Sequence, residues 1–302
     1  MSDIAFDRDF DAAHGRAVAI APGVRRLTAD NPGPFTFRGT NSYIVGRGQV
    51  AIIDPGPDDA AHVAALLAAT AGETVTHVLL THTHRDHSGG LARLKAATGA
   101  RSAGAGRHRP ARPLHAGEAN VLDASADLAF VPDITLADGA MVTGEGWRIE
   151  AVATPGHTAN HLAFGLAGAD LLFSGDHVMA WSTTIVAPPD GSMADYMASL
   201  DKLVSRPERR YLPGHGGPVG DPPGYLRALI AHRRAREVAI LDRLAAGDTT
   251  IPAIVETVYR NTDPSLHGAA ALSVLAQLEW LVERGEVAAD GPPSLGGRYR
   301  LA

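Results

Sequence analysis

The segment Thr81-His-Thr-His-Arg-Asp-His-Ser-Gly-Gly90 places the strongest constraint on what this chain can fold into. It follows the strand-like run 75–80 and precedes a helix expected over residues 89–98. His82 and His84 are two positions apart, so an extended backbone points both rings to the same side. Asp86 and His87 follow at the turn into the helix. Imidazole and carboxylate groups at this spacing suit zinc, manganese or iron.

Three later segments share one pattern, in which a strand-like run is followed by glycine and then by a residue that can ligate a metal. They are Thr154-Pro-Gly-His157, Ser174-Gly-Asp176 and Pro213-Gly-His215. Glycine lets the backbone turn sharply and lets a ligand approach closely. One such segment is common in loops, but four in order predict a metal site. Five histidines and two aspartates would suit two ions with a carboxylate between them.

Strands and helices alternate through the first part of the chain. The run 49–53 reads as a strand, residues 58–71 as a helix, and the run 162–166 as another strand. This alternation predicts an α/β domain with sheets covered by helices. We assign residues 1–221 to this domain and expect it to carry the catalytic site.

A different pattern begins after Asp221. We expect three helices, over about 225–246, 251–259 and 268–284, and then a small hairpin with a Gly/Pro tip. Three helices followed by a hairpin are typical of a winged helix. We therefore assign residues 222–302 to a winged-helix-like C-terminal domain.

The composition of the 302 residues excludes several classes of protein. With no cysteine, the chain has no disulfide, no thiolate nucleophile and no Cys-ligated metal site. Its net charge of −6 is unlike that of a duplex-DNA binder, so we expect no duplex DNA as a partner. The sequence lacks a long apolar run and residues 1–10 lack the features of a secretory signal. We expect a cytoplasmic protein that does not bind membranes.

The four segments, in this order, resemble the metal-binding motifs of the metallo-β-lactamase superfamily. The resemblance covers residues 18–220 and implies an α/β fold of the αββα sandwich type, with a dinuclear site at one edge of its two sheets. It implies two divalent ions, for which zinc is the first expectation and manganese or iron is the alternative. Carried over by position, one ion is held by His82, His84 and His157, the other by Asp86, His87 and His215, and Asp176 bridges them.

A narrower resemblance is carried by the stretches 31–43 and 194–200. These are similar to the β-lactamase-like-2 branch, which also has a C-terminal winged-helix-like module. Its animal members are associated with cleavage of single-stranded RNA, and its bacterial relatives are mostly uncharacterised hydrolases. A bridging aspartate such as Asp176 is associated with the thioesterase, lactonase and phosphodiesterase branches, and not with true β-lactamases.

The resemblance implies a hydrolase in which a hydroxide bridging two metal ions attacks an ester-type bond, whether thioester, lactone or phosphodiester. Two divalent cations, two aspartates and a hydroxide leave a charge near +1, which favours an anionic substrate. Asp86 would both ligate and orient the hydroxide, as in the family. Tyr43 and His161 are candidate substrate contacts, with local hydrogen bonding as the alternative for each.

Other side chains leave two interpretations open. Asp54 ends a strand, where it could orient a ligand imidazole or close an Asx turn. A loop containing Arg107, His108, Arg109 and Arg112 could bind a phosphate or be a solvated charged surface. His177 directly follows Asp176 and would point the other way, so we do not expect it to ligate a metal.

Two alternative functions remain open at the level of sequence. The first is a single-stranded RNA endonuclease of the β-lactamase-like-2 type. The second is a nucleic-acid-binding or sensor protein acting through the winged helix, whose third helix is nearly all apolar or acidic. Such a helix suits packing better than DNA reading, so we expect it to shape the substrate cleft or a homodimer interface. The expected partner is a small-molecule or single-stranded RNA substrate.

Overall fold

The computed structural model describes residues 4–120, 122 and 124–302. A seven-stranded sheet forms from the first part of the chain, with its strands lying side by side in chain order. They are β1 (Val18–Ala21), β2 (Val24–Thr28), β3 (Asn41–Arg47), β4 (Gln49–Ile53), β5 (Thr74–Leu79), β6 (Arg101–Gly104) and β7 (Ile134–Thr135). The first four strands pair antiparallel, and β4 to β7 pair parallel.

A second sheet of five strands has the order β12-β11-β10-β9-β8. Its strands are β8 (Met141–Gly144), β9 (Trp147–Ala153), β10 (Leu162–Leu166), β11 (Leu171–Gly175) and β12 (Arg210–Pro213). Only the β11–β12 pair is parallel among the four pairs of this sheet. The helices of this domain are α1 (Ala60–Ala69), α2 (Arg85–Ser88), α3 (Leu91–Thr98) and α4 (Met193–Val204).

Strand β3 shows how the layers are held together. Successive side chains of a strand point to opposite faces of the sheet. Tyr43 and Val45 therefore face the second sheet, where they join a buried cluster with Phe164 of β10. Ile44 faces the other way and packs with Leu66 of α1. Helices thus cover the outer face of the first sheet, and the two sheets share a core.

Helix α4 covers the outer face of the second sheet. Ser192 caps it, its hydroxyl accepting a hydrogen bond from the amide of Asp195. Its inner side buries Tyr196 and Leu200 against Leu172 of β11. The layers are therefore helix, sheet, sheet and helix, which confirms the predicted αββα sandwich.

The C-terminal part contains three helices and a hairpin, as predicted for a winged helix. They are α5 (Pro222–Ala245), α6 (Ile251–Val258), α7 (His267–Glu283), β13 (Val287–Ala289) and β14 (Tyr299–Leu301). Asp221 caps α5 by accepting a hydrogen bond from the amide of Gly224. Ile240, Ile254, Leu278 and Tyr299 belong to a core of the module's own.

The C-terminal helices also join the core outside the second sheet. Leu229 of α5 and Ala276 of α7 are buried in the cluster that contains Tyr196 and Leu172. Burial of shared apolar surface is the main attraction between packed elements. The C-terminal module is therefore docked on the sandwich through a continuous core.

Within the described residues, no helix is both long enough and apolar enough to cross a bilayer.

Candidate metal centre

The predicted ligands meet at one edge of the sandwich. His82 and His84 follow β5, and α2 carries Asp86 and His87. His157 follows β9, and the loops after β11 and β12 bring Asp176 and His215 to the same edge. Strands β9, β11 and β12 run in the same direction, so their carboxyl ends converge. The predicted convergence of the four segments is thus what the fold produces.

One group of three imidazoles comes from His82, His84 and His157. Nδ1 of His84 lies 3.0 Å from Nε2 of His82 and 3.0 Å from Nε2 of His157. A ring nitrogen offers either one N–H or one lone pair, so it cannot form good hydrogen bonds to both. A cation between the three atoms would instead be met by a lone pair from each.

A second group is formed by Asp86, His87 and His215. Nε2 of His87 lies 3.3 Å from Nε2 of His215, and Oδ2 of Asp86 lies 3.4 Å and 3.3 Å from these two atoms. Tetrahedral zinc with bonds of about 2.1 Å holds its ligand atoms roughly 3.4 Å apart. Both groups therefore have the donor chemistry and the spacing of a transition-metal site.

Asp176 lies between the two groups. Its Oδ1 is 3.4 Å from Nε2 of His87, and its Oδ2 is 3.3 Å from Nε2 of His215 and 3.8 Å from Nε2 of His157. Oδ1 is buried and has no hydrogen-bond partner among the described residues. A buried carboxylate oxygen without a donor is costly unless a cation neutralises it. This position suits the predicted bridging role.

The two groups differ in protonation when no cation is bound. Burial lowers the pKa of His84 to about 3 and also depresses that of His82, so both rings are neutral. Burial opposes the charged form of His215 as well, but Asp176 and Asp86 raise its pKa to about 9. The same carboxylates and Asp54 raise the pKa of His87 well above its usual value. Protons thus occupy the second group, where a cation would replace them.

Further residues orient the imidazoles from behind. Nδ1 of His87 donates to Oδ2 of Asp54 at 2.9 Å, and Nδ1 of His157 donates to the carbonyl of Ile185 at 2.7 Å. These bonds place a proton on each Nδ1, so Nε2 of each ring is the nitrogen that would bind a metal. Asp54 also accepts from the amide and the hydroxyl of Thr81. Of its two interpretations, the contact with a ligand imidazole is the one observed.

The structure corrects the two predicted substrate contacts. Tyr43 is only 3% exposed in the core between the sheets, and its hydroxyl donates to the carbonyl of Pro213 at 2.7 Å. His161 is 1% exposed, and its Nε2 accepts a hydrogen bond from the amide of Asp176 at 3.2 Å. Neither side chain lines the pocket that the ligands face. Both instead support the loops that carry His215 and Asp176.

His177 does not belong to either of the two ligand groups. It is buried, and its ring lies 4.6 Å from that of Tyr196. The ring faces the core behind the site.

Most of the basic loop is paired within the protein. His108 is buried, 3.1 Å from Oδ2 of Asp190. Arg109 donates to the carbonyl of Ala159. Arg112 forms ion pairs with Glu118 and Glu279. His108, Arg109 and Arg112 are thus paired within the protein, whereas Arg107 is exposed and fits the interpretation as a charged surface.

A pocket of about 450 Å³ opens over the ligand cluster. Its floor holds His84, Asp86, His157, Asp176 and His215. Its walls are mostly apolar and come from three loops and from α7: Phe35, Thr36, Leu122, Ala124, Ser125, Met179, Ile185, Ala187, Ala269 and Leu272. These wall residues are not predictable from the sequence, because single apolar residues in loops carry no periodic signal.

Comparisons with known proteins agree with this architecture. Residues 35–215 match the metallo-beta-lactamase superfamily, and residues 250–293 match the beta-lactamase associated winged helix domain. The beta-lactamase-like protein 2 homolog of Drosophila melanogaster is 32% identical over 89% of this chain and 94% of its own length. An atrochrysone carboxyl ACP thioesterase of Cryptosporiopsis is 30% identical over 89% of this chain and 82% of its own.

Two solved structures share the whole fold. A metallo-beta-lactamase family protein of Thermus thermophilus has a TM-score of 0.74 and 27% identity, covering 94% of this chain and 100% of its own. A beta-lactamase domain protein of Burkholderia ambifaria has a TM-score of 0.75 and 24% identity, covering 97% and 96%. The likeness therefore includes the C-terminal module as well as the sandwich.

Proposed function

Because this chain belongs to the metallo-beta-lactamase superfamily, whose members are generally hydrolytic enzymes, we propose that it is a metal-dependent hydrolase of acyl thioesters. One observation carries the proposal: the cluster of imidazoles and carboxylates forms the floor of a pocket with apolar walls. The similarity to an atrochrysone carboxyl ACP thioesterase agrees with it.

The ligand sets of the proposal follow the two groups in the structure. His82, His84 and His157 would hold one divalent ion, and Asp86, His87 and His215 the other, with Asp176 shared. Zinc suits these nitrogen and oxygen donors best. When bound, the ions would supply a hydroxide nucleophile near neutral pH and stabilise the charge that develops on the attacked carbonyl oxygen.

Asp86 is the residue that we propose for proton transfer. Its side chain is 29% exposed, compared with 10% for Asp176, and it lines the pocket. Burial disfavours its charged form, but His87 and His215 hold its pKa well below the usual value, so the carboxylate is ionised. The carboxylate would then orient the attacking water, accept its proton and pass it to the leaving sulfur.

The walls of the pocket favour an acyl substrate over RNA. None of the described residues that line the pocket is Lys or Arg. Binding of a nucleic-acid backbone depends on such cations. Apolar walls instead bind the body of an acyl group and exclude water from the reacting bond. The similarity to the beta-lactamase-like protein 2 homolog favours the alternative, a single-stranded RNA endonuclease. A test of the proposal must therefore distinguish thioester hydrolysis from RNA cleavage.

Metal analysis and two substrates test the proposal. Protein purified without chelator should hold about two equivalents of zinc, hydrolyse octanoyl-N-acetylcysteamine, and lose both metal and activity in EDTA. Asp176→Ala should abolish the activity, whereas Asp201→Asn, at an exposed position on α4, should leave it unchanged. Activity that survives EDTA with well under one equivalent of metal would refute a metallohydrolase. Cleavage of a labelled single-stranded RNA with no thioester turnover would favour the endonuclease.

A further inference from the structure

Helix α7 forms part of the pocket even though it belongs to the C-terminal module. Ala269 and Leu272 line the pocket, opposite the floor residues of the sandwich. Ala276, one turn further on, is buried in the core shared with α4. Residues at i, i+3 and i+7 lie on one face of a helix. One face of α7 is therefore both anchored to the sandwich and exposed to the substrate space.

An ion-pair clamp ties the same face of α7 to a loop of the sandwich. Nε and Nη2 of Arg112 donate to Oε1 of Glu279 at 3.0 and 2.7 Å. The other side of the guanidinium donates to both oxygens of Glu118, at 2.7 and 2.8 Å. Glu279 lies seven positions after Leu272, which places the two side chains on the same face. Paired hydrogen bonds of this kind fix geometry as well as adding energy.

The clamped loop supplies another part of the wall. Leu122, Ala124 and Ser125 of this loop line the pocket beside Ala269 and Leu272. Arg112 thus links α7 to the loop that leads to Leu122, through Glu279 and Glu118, which lie outside the pocket lining. Met179 and Ile185, from the loop after β11, add to the apolar lining. A rigid wall of this kind discriminates between ligands by size.

We propose that the Ala269–Leu272 face of α7 is the size-selective wall of the substrate site and binds the apolar body of the acyl group. The inference rests on the proposed function for the bond that is cleaved, but the binding surface stands on its own. The small side chain of Ala269 leaves the pocket open at this point. A volume of about 450 Å³ accommodates a medium-length acyl chain, within the range typical of small-molecule sites.

Variants that fill or widen the wall test the inference. We would measure kcat/KM for acetyl-, octanoyl- and dodecanoyl-N-acetylcysteamine, together with zinc content and circular dichroism. Ala269→Phe should lower kcat/KM for the octanoyl thioester at least about tenfold while acetyl turnover changes less than about twofold. Leu272→Ala should raise the ratio of dodecanoyl to octanoyl turnover. Ala245→Phe, at an exposed position on α5 outside the pocket, is the matched control and should change neither.

Parallel losses for short and long thioesters in Ala269→Phe, with no change of chain preference in Leu272→Ala, would overturn the inference. Failure of the proposed function has a different signature, in which metal-loaded wild-type protein hydrolyses none of the thioesters. In that case, the affinity of each variant for octanoate, measured by calorimetry, tests whether the wall binds an acyl chain. Weaker binding to Ala269→Phe than to Ala245→Phe supports the wall, and equal binding refutes it. If Ala269→Phe does not fold, the chain-length ratio of Leu272→Ala decides between the two outcomes.

Discussion

The guanidinium of Arg233, on α5, donates a hydrogen bond to the carbonyl oxygen of Thr184. The hydroxyl of Thr184 in turn donates to the backbone oxygens of Asp176 and His177, at 2.6 and 2.9 Å. The carbonyl of the next residue, Ile185, accepts the hydrogen bond from Nδ1 of His157. Arg233 is buried and forms no ion pair within the described residues. A buried arginine of the C-terminal module therefore holds the segment that positions two candidate metal ligands.

Replacing Arg233 should weaken metal binding rather than unfold the site. Arg233→Met removes the donor to Thr184 and should lower zinc affinity about tenfold to a hundredfold, as changes behind metal ligands commonly do. Arg233→Lys retains a cationic donor and should recover part of the affinity. The measurement is competition with a chromophoric chelator, supported by the visible spectrum of the cobalt-loaded protein. Arg234→Met, at the adjacent exposed position, is the control. Equal affinities for the Arg233 and Arg234 variants would contradict the positioning role.

Asp54 should matter for the ion held by His87. Asp54→Ala removes the acceptor of the His87 Nδ1 proton and frees the ring to rotate. We expect a tenfold to hundredfold loss in affinity for one of two zinc ions, with the other retained. Calorimetric titration with zinc resolves the two steps. Asp58→Asn, which alters an exposed partner of Arg93, serves as the control and should keep both steps. Loss of both steps together would argue against a role confined to His87.

Gly214 gives a steric test of the site. A Cβ at this position would lie 2.5 Å from Oδ1 of Asp176 and 2.6 Å from Cε1 of His87, too close for either side chain to stay in place. Gly214→Ala should therefore reduce zinc affinity and turnover at least about tenfold, because small displacements of reacting groups are costly. In Gly217→Ala the nearest atom would be 3.7 Å away, so this neighbouring variant should resemble wild type. Full zinc binding and activity in Gly214→Ala would show that Asp176 and His87 are not packed against Gly214 as closely as the structure indicates.

His62 should make stability fall in mild acid. It is buried, with Nε2 2.8 Å from the hydroxyl of Ser42, and burial lowers its pKa to about 4 despite the opposing effect of Asp59. Between the unfolded value of 6.5 and about 4, the unfolded chain binds a proton that the folded protein does not. The free energy of unfolding should therefore fall as pH falls through this window. Between pH 7.5 and 5.0 the contribution is about 2 kcal/mol.

Urea unfolding at the two pH values measures this contribution. His62→Gln should be less stable than wild type at pH 7.5, because the substitution removes the packing of the imidazole. Its free energy of unfolding should, however, fall less on acidification. His14→Gln replaces an exposed histidine and should keep the wild-type slope. The same slope for His62→Gln and wild type would contradict the assignment.

The pattern of the sequence predicted an α/β domain and the ligand cluster for a clear physical reason, whereas the αββα layering was implied by the family resemblance. The ligands lie on the loops after β5, β9, β11 and β12 and on the short helix α2, and the carboxyl ends of similarly directed strands meet at one edge. The local pattern thus identified His82, Asp176 and His215 as ligands, and the resemblance implied that the two sheets bring them to one edge. Tyr43 shows where those rules stop. Its face depends on the register of β3, and its partner Pro213 lies 170 positions away. Neither the register of β3 nor the partner of the hydroxyl can be predicted from the residues next to Tyr43.

The loop containing Arg112 shows a similar limit. A run of charged residues suggests a solvated surface when its neighbours are unknown. Here Arg112 finds Glu279, which lies 167 positions further along the chain. His108 likewise finds Asp190. Pairs this far apart in the sequence can be identified only once the packing of the two domains is known. For the same reason, the sequence predicted that the C-terminal module shapes the cleft but did not identify which residues of α7 line it.

The core that joins Leu229 and Ala276 to the outer face of the second sheet has a consequence for how such chains diversify. Exchanging the C-terminal module for that of a distant relative would change three features at once. These are the buried interface with the sandwich, the hydrogen bond from Arg233 that supports the segment near Asp176 and His157, and the side of the pocket formed by α7. Chimeras should therefore work only when the exchanged piece brings compatible contacts on all three counts. The two domains should therefore evolve together. New substrate specificities should arise more readily through point substitutions on α7 than through exchange of the whole C-terminal module.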